Sequence, residues 1–260
     1  MRSMVFDIET VPDVELGRRL YDLNGLNDED VAKAMFAKRR QKTGNEFLAH
    51  HMHQIVAISI VLRDKDHFRV WSLGNEESTE KELIQRFFDG LEKFQPTLIS
   101  WNGGGFDLPV LHYRAMRHGV NAYKYWDVGE NDRDYKWNNY LNRFHWRHID
   151  LMDVLAGYQA RANAPLDEIA VLLGYPGKFG MSGASVWPTF CSGGINEIRD
   201  YCETDVLNTY LVYLNWELNR GNLEASSYAA ECEVVRDHLQ SQNKDHLNSF
   251  LASWNNNAAA

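Results

Sequence analysis

The stretch "RSMVFDIETVPD", Arg2 to Asp13, places two carboxylates, Asp7 and Glu9, at alternate positions directly after the apolar run Met4-Val5-Phe6. Met4 to Ile8 read as a β-strand. On a strand, residues i and i+2 point to the same face, so Asp7 and Glu9 converge at the strand's end. Each carboxylate raises the other's pKa, and the pair is unfavourable unless protonated or neutralised by a cation. Magnesium or manganese, which prefer carboxylate and water oxygens, is the natural neutraliser. A D-x-E tripeptide alone is a weak signal, and the chain carries its own control. Asp13-Val14-Glu15 repeats the pattern in the polar "TVPDVELGRR" without a preceding apolar strand, and reads as a solvated turn or helix start.

Composition bounds what can be built around that strand. The chain has 260 residues, 44% apolar and 24% charged, ordinary for a globular protein and too apolar for a mainly disordered one. No Pro/Ser-rich linker divides it, so residues 1–254 read as a single domain with insertions and a C-terminal helix. The closing "NNNAAA", Asn255 to Ala260, reads as a frayed or appended tail. No apolar run approaches the ~20 residues that span a bilayer and no signal peptide is evident, so no membrane partner and a cytoplasmic location are expected. Cys191, Cys202 and Cys232 are odd in number with no C-x-x-C pair, which points to buried reduced thiols. A net charge of −9 argues against polyanion binding by the whole surface, though not by a local basic groove or through divalent cations.

Periodicity places further elements. "IVAISIVL" (Ile55 to Leu62) reads as a second strand and "FRVWSL" (from Phe68) as its hairpin partner, with "RDKDH" (Arg63 to His67) as the turn. From Ser78 the period becomes helical, with Leu83, Ile84, Phe87, Phe88, Leu91 and Phe94 on one face and Pro96 beyond the stop. "TLISW" from Thr97 gives another strand, "NGGGFD" a glycine-rich turn, and Leu108 to His118 a helix. Ala122 to His148 is polar, aromatic and without clear period, and "HIDLMDVL" resumes an apolar rhythm. Pro165 opens a helix ending at Gly174, and Tyr175 to Gly194 reads as a loop. A long helix from about Ile195 to Asn219 follows, and a further helical stretch from Tyr228 to about Leu251.

Two more carboxylates fall at telling places. Asp107 follows a strand and a turn at the start of a helix, where N-capping is the bland alternative. The glycines before it do not form a P-loop, because no Gly-Lys-Ser/Thr follows. In "IRDYCETDVLNTYLVYL", Tyr201 and Asp205 stand at i and i+4 on one face of the long helix, while Ile198, Cys202, Val206 and Leu214 form its apolar side.

Taken in order, "FDIET", "NGGGFD" and "YCETD" resemble the three motifs of the DEDDy family of 3′–5′ exonucleases, above all the proofreading domains of family-B DNA polymerases and their stand-alone relatives. The likeness spans Met4 to about Tyr213. It implies an α/β, ribonuclease H-like (DnaQ-like exonuclease) fold, with a mixed central sheet flanked by helices and the first strand central. It implies that Asp7, Glu9, Asp107 and Asp205 hold two Mg²⁺ or Mn²⁺ ions once substrate is bound, and that Tyr201 orients the attacking water. The histidine branch of the family has His where this chain has Tyr201. Asn102, Phe106 and Thr10 would then contact the substrate. The implied activity is hydrolysis of single-stranded nucleic acid, DNA for preference, from the 3′ end. An exoribonuclease of the same chemistry and an inactive nucleic-acid-binding module of the same fold are the alternatives.

"RDYKWNNYLNRFHWRH" (Arg133 to His148) interleaves Arg133, Lys136, Arg143 and Arg147 with Tyr135, Trp137, Tyr140, Phe144 and Trp146. It reads equally as a single-strand groove or as a packed aromatic insertion with solvated arginines. "KAMFAKRRQK" (Lys33 to Lys42) reads as a solvated helical insertion and "HHMH" (His50 to His53) as a loop entering the second strand rather than a metal site. Asp150 and Asp153 read as helix caps, with support of the site as the sharper alternative.

Overall fold

A computed structural model describes residues 2–65, 67–178 and 180–258. Its first element, β1 (Ser3–Pro12), sorts its side chains by parity. Met4, Phe6 and Ile8 enter one apolar cluster, Val5 a second and Val11 a third. From Met4 to Ile8 one face of the strand is therefore apolar, and the other carries Asp7 and Glu9 between the apolar anchors Val5 and Val11. Each fully buried side chain of this kind contributes roughly 1.5–3 kcal/mol, which fixes the register against a one-residue slip.

Two helices follow, α1 (Val14–Tyr21) and α2 (Asp28–Thr43). The basic run Lys33 to Lys42 lies on α2, where Lys33 and Arg40 pair with Glu29, Asp30 and Glu46. Asp13 does begin a helix, but it is not solvated. It is 2% exposed, caps the Leu16 N–H at 2.9 Å and ion-pairs with Arg114. The sequence hid this because the arginine arrives from 101 residues away.

A short 3₁₀ turn at His50–Met52 leads into β2 (His53–Asp64), which pairs with β3 (His67–Ser72). Both strands run further into the expected turn Arg63 to His67 than the sequence suggested, and Asp66 lies outside the described residues. α3 (Glu80–Phe94), capped by Thr79, leads to β4 (Thr97–Ser100), and α4 (Asp107–His118) follows the glycine-rich turn. The aperiodic stretch contains α5 (Tyr123–Trp126) and a 3₁₀ turn at Arg133–Lys136 before β5 (His148–Asp150) and α6 (Leu151–Leu155).

α7 (Leu166–Leu172) precedes α8 (Gly183–Cys191), which occupies part of the expected loop Tyr175 to Gly194. Its composition reads as loop, but a capping box of Ser182 and Ser185 starts it, and Pro188 lies inside. α9 (Ile195–Asn219) is buried nearly all round in its second half. The last helical stretch is two helices, α10 (Ala225–Gln242) and α11 (Asp245–Ala258), separated at Asn243, whose φ of 50° is left-handed. The expected tail is helical as far as Ala258, with Asn257 Nδ2 donating to the Tyr175 carbonyl at 3.1 Å. Ala259 and Ala260 lie outside the described residues.

The described strands form one mixed sheet in the order β3-β2-β1-β4-β5, with β1 central as expected. β2 runs antiparallel to β1 along its whole length, whereas parallel β4 pairs only with Ser3 to Val5. Beyond Val5, β1 continues with one edge unpaired by any strand. The β1/β2 register shifts between Glu9 and Thr10, where Glu9 faces Ala57 and Thr10 faces Ile55. Val56 is the extra residue of a β-bulge, a device that bends a strand and re-aims its side chains.

Candidate active site

The open edge of β1 and the amino-terminal half of α9 enclose a group of carboxylates. Asp7 and Glu9 stand on the β1 face turned to α9, where Val11 packs with Ile198 and Cys202. Oxygens of Asp7 and Glu9 and the Cys202 sulfur lie within 4.8 Å of one another. Asp107 comes from the first residue of α4, is 4% exposed, and takes the Ile8 N–H on Oδ1 at 3.1 Å. Its carboxylate fills the hydrogen-bonding position that β4 has vacated. Asp205 hydrogen-bonds Tyr201 one helical turn away.

These groups perturb one another strongly. Burial raises the Asp7 pKa well above the usual carboxylate range, and Asp107, Glu9 and Asp205 push it further in the same direction. Glu9 is raised by burial and then by Asp205 and Asp107. Asp107 is lifted to about 7 by burial against the opposing Ile8 bond, and Asp205 to about 6 by burial, with the Tyr201 hydroxyl and Lys178 acting the other way. Burial and the surrounding carboxylates also raise the Tyr201 phenol, which keeps it a hydrogen-bond donor at neutral pH. Four carboxylates held this close, Glu9 and Asp107 buried and Asp7 and Asp205 half-buried, repel when ionised, and a divalent cation is the neutraliser their oxygens suit. Cys202 is a poorer ligand here, because burial raises its thiol and hard cations prefer oxygen. Its Sγ lies 3.6 Å from Asp7 Oδ2 and orients that carboxylate as a weak donor.

The glycine-rich turn sets the approach of α4. Asn102 adopts a left-handed φ of 60°, and its carbonyl accepts the Gly105 and Phe106 N–H groups at 3.0 and 2.9 Å. A Cβ at Gly103 would meet Ser100 Oγ at 2.4 Å, so only glycine fits there. Asp150 caps α6 through the Asp153 N–H at 3.4 Å, and also accepts the Asn102 and Gly104 N–H groups at 2.9 and 2.8 Å. The strand-end aspartate therefore caps the helix and also anchors the turn that precedes Asp107.

Thr10 and Phe106 lie on the other flank, joined by His53. Its Nδ1 is 2.9 Å from Thr10 Oγ1, and its ring meets Phe106 edge-on at 5.1 Å. Burial lowers the His53 pKa to about 4, so the imidazole is neutral. His50 Nε2 approaches the Gly105 carbonyl at 2.8 Å. Two histidines of the "HHMH" stretch thus back the turn and Phe106, which nothing in their local spacing announces.

Lys178 and Asn208 also escaped the sequence reading. Asn208 fastens Gly177 to α9 through bonds of 3.2 and 2.7 Å. Gly177 and Lys178 line a cavity of about 80 Å³ with Tyr201 and Asp205. A second group with metal-ligating geometry, Asp200, Glu203 and His246, occurs among the described residues. Here Lys244 already contacts Glu203 at 3.1 Å, and the Ser72 N–H and hydroxyl donate to it at 2.8 and 3.0 Å. These charges are neutralised internally, and the group ties α9 to β3 and α11.

The aromatic and basic segment divides between both readings. Tyr135 and Tyr140 are buried beneath the Arg147 guanidinium, 4.1 and 5.4 Å from their rings, while Trp137 and Phe144 are 76% and 69% exposed. No helix among the described residues is long and apolar enough to cross a membrane.

Among solved structures the chain is similar to the family B DNA polymerase from the archaeon Pyrobaculum calidifontis, with a TM-score of 0.50 and 17% identity, over 97% of this chain and 27% of that one. This supports the ribonuclease H-like fold. Among curated proteins it is 25% identical over 146 residues to the catalytic subunit of DNA polymerase epsilon from Aspergillus fumigatus, covering 54% of this chain and 6% of that protein. It is 45% identical over 42 residues to DNA polymerase 1 of Saccharolobus solfataricus, covering 16% of this chain and 5% of that one. The matched stretches are a small fraction of those relatives' length. A family described as "Predicted 3'-5' exonuclease related to the exonuclease domain of PolB" matches residues 45–254, which hold the "NGGGFD" and "YCETD" motifs, while "FDIET" precedes the matched span. With most of its length matched, the chain belongs to this family of 3′–5′ exonucleases related to the PolB exonuclease domain.

Proposed function

We propose that the protein is a metal-dependent 3′–5′ exonuclease that shortens single-stranded DNA by hydrolysing its terminal phosphodiester bond. The observation that carries this reading is the group of Asp7, Glu9, Asp107 and Asp205, two buried and two half-buried, brought from β1, α4 and α9 onto the open end of the central strand. The four carboxylates would hold two Mg²⁺ or Mn²⁺ ions when substrate is present. Bound there, such ions supply an acidified water and neutralise charge gathering on the leaving 3′ oxygen.

The protein's own groups have separate tasks. Tyr201, its single O–H given to Asp205, accepts a hydrogen bond from the attacking water on its phenol oxygen and sets its line of approach. Asp107 keeps its carboxylate fixed through the Ile8 N–H, and Cys202 does the same for Asp7. Thr10 and Phe106, braced by His53, contact the terminal nucleotide, and Asn102 contacts the substrate backbone. DNA is proposed because the matched relatives are DNA polymerases by name.

The test is degradation of 5′-labelled single-stranded DNA and RNA with Mg²⁺ or Mn²⁺, beside Asp7→Ala and an EDTA control. A ladder shortening from the 3′ end of DNA, lost in both controls, is the expected result. A ladder from RNA alone would make the protein an exoribonuclease. Binding without cleavage under either metal would make it a binding module.

A further inference from the structure

A cavity of about 280 Å³ opens beneath the glycine-rich turn, on the β5 side of the sheet. Gly104 and Asp150, which belong to the turn and its anchor, line it, and so do Leu108 and Pro109 of α4. β5 lies two strands from β1, about 10 Å across the sheet. The far wall comes from the aromatic and basic segment and the loop after α6.

That wall carries three features the proposed chemistry does not use. At the rim, the Arg143 guanidinium lies 5.0 Å from the Phe144 ring and 5.2 Å from the Tyr158 ring. Both residues remain exposed, at 69% and 37%, with the guanidinium over one side of each ring. Tyr158 has a left-handed φ of 59°, a strained conformation for a bulky residue, held by its N–H to the Asp153 carbonyl at 2.7 Å and its hydroxyl to the Arg143 carbonyl at 3.0 Å. Asp153, half-buried, also lines the cavity, and its carboxylate has no hydrogen-bond or ion-pair partner among the described residues. Strain spent to aim an aromatic ring, next to a cation and an unpaired acceptor, fits one occupant. A nucleotide of a DNA strand offers a planar base, a flanking phosphate and, in adenine, cytosine and guanine, an exocyclic amine.

We propose that this cavity is a nucleobase subsite for the substrate strand, 5′ to the scissile phosphate. The base stacks on Tyr158, its phosphate meets Arg143, and its amine donates to Asp153. This rests on the exonuclease reading and extends it.

The experiment compares wild type with Tyr158→Ala, Tyr158→Phe, Arg143→Ala and Asp153→Ala on 5′-labelled dA, dC and dT decamers. It reads steady-state trimming in Mn²⁺ and fluorescence-anisotropy binding in EDTA. Tyr158→Ala should raise KM and weaken binding about tenfold, the loss of one stacked base, with kcat within about twofold. Tyr158→Phe, which keeps the ring but loses the hydroxyl's bond to the Arg143 carbonyl, should weaken binding less than Tyr158→Ala. Wild type should bind dT more weakly than dA or dC, and Asp153→Ala should abolish that difference. Unchanged KM and affinity in Tyr158→Ala and Arg143→Ala would overturn the subsite while leaving the exonuclease standing. If Tyr158→Ala does not fold, Arg143→Ala decides. If wild type binds but never cleaves, weakened binding in these variants keeps the subsite and removes the exonuclease; absence of both binding and cleavage removes both.

Discussion

The main-chain N–H of Ile8 donates to the Asp107 carboxylate at 3.1 Å, across 99 positions of sequence. One carboxylate oxygen thus completes the sheet's hydrogen bonding where β4 turns away, and the same group joins the acidic cluster. Structural and chemical roles can be separated by substitution. Asp107→Asn keeps an acceptor for Ile8 and removes the charge, so activity should fall by roughly 10²–10³-fold while the metal-free protein becomes no less stable. Asp107→Ala orphans a buried N–H as well and should cost about 1–3 kcal/mol in urea denaturation. Equal stability of the two variants would contradict this division.

The metal-free protein should lose stability as pH rises through the site's titration. The raised carboxyls hold protons more tightly folded than unfolded, so their contribution is complete below the ordinary carboxylate range and is lost through about 6 for Asp205 and about 7 for Asp107. His53, His112 and His148, lowered to about 4 by burial, have the opposite slope: their contribution is full above about 6.5 and fades as pH falls toward 4. The histidines contribute alike with and without metal, so they cancel in a difference. The rise in Tm on replacing EDTA with Mn²⁺ should therefore be larger at pH 7.5 than at pH 5, and an equal rise would sink the electrostatic account.

Tyr201 is proposed to act on the reacting water through its hydroxyl, not on the strand. Tyr201→Phe should reduce kcat roughly 10–100-fold with KM and oligonucleotide affinity nearly unchanged. Parallel losses in kcat and binding would show that the ring is a contact surface instead.

Asp150 holds two N–H groups of the turn that delivers Asp107. Asp150→Ala should loosen that turn and lower activity roughly 10–100-fold, although Asp150 is not one of the four carboxylates proposed to hold the ions. Gly103→Ala should act on the same turn from the other side, by forcing Cβ against Ser100, at about 1–3 kcal/mol of stability. Wild-type kinetics in both variants would remove the turn from the mechanism.

What the sequence discloses follows the range over which each cause acts. β1, α3 and α9 were legible because periodicity is local, and the acidic motifs because each lies within a few residues of a readable element. α8 was hidden by glycine, serine and proline, whose usual meaning is turn, and the α10/α11 break by an asparagine in place of the glycine that commonly marks one. Asp13, His53 and Cys202 depend on partners 101, 43 and 195 residues away. No window of sequence shows such a pairing, so a buried ion pair looked like a solvated turn and two neighbours of the site looked like loop and core.

The span from Asp7 to its contact with Cys202 also has a kinetic meaning. Loop closure over 195 residues is about as non-local as this chain allows, and non-local contacts form late and slowly. A growing chain makes β1 well before α9, so Asp7 meets α9 only after the polypeptide has passed residue 202. During refolding, recovery of activity should lag the return of helical circular dichroism, and chains halted before α9 would have a strand bearing two carboxylates and no wall to receive them.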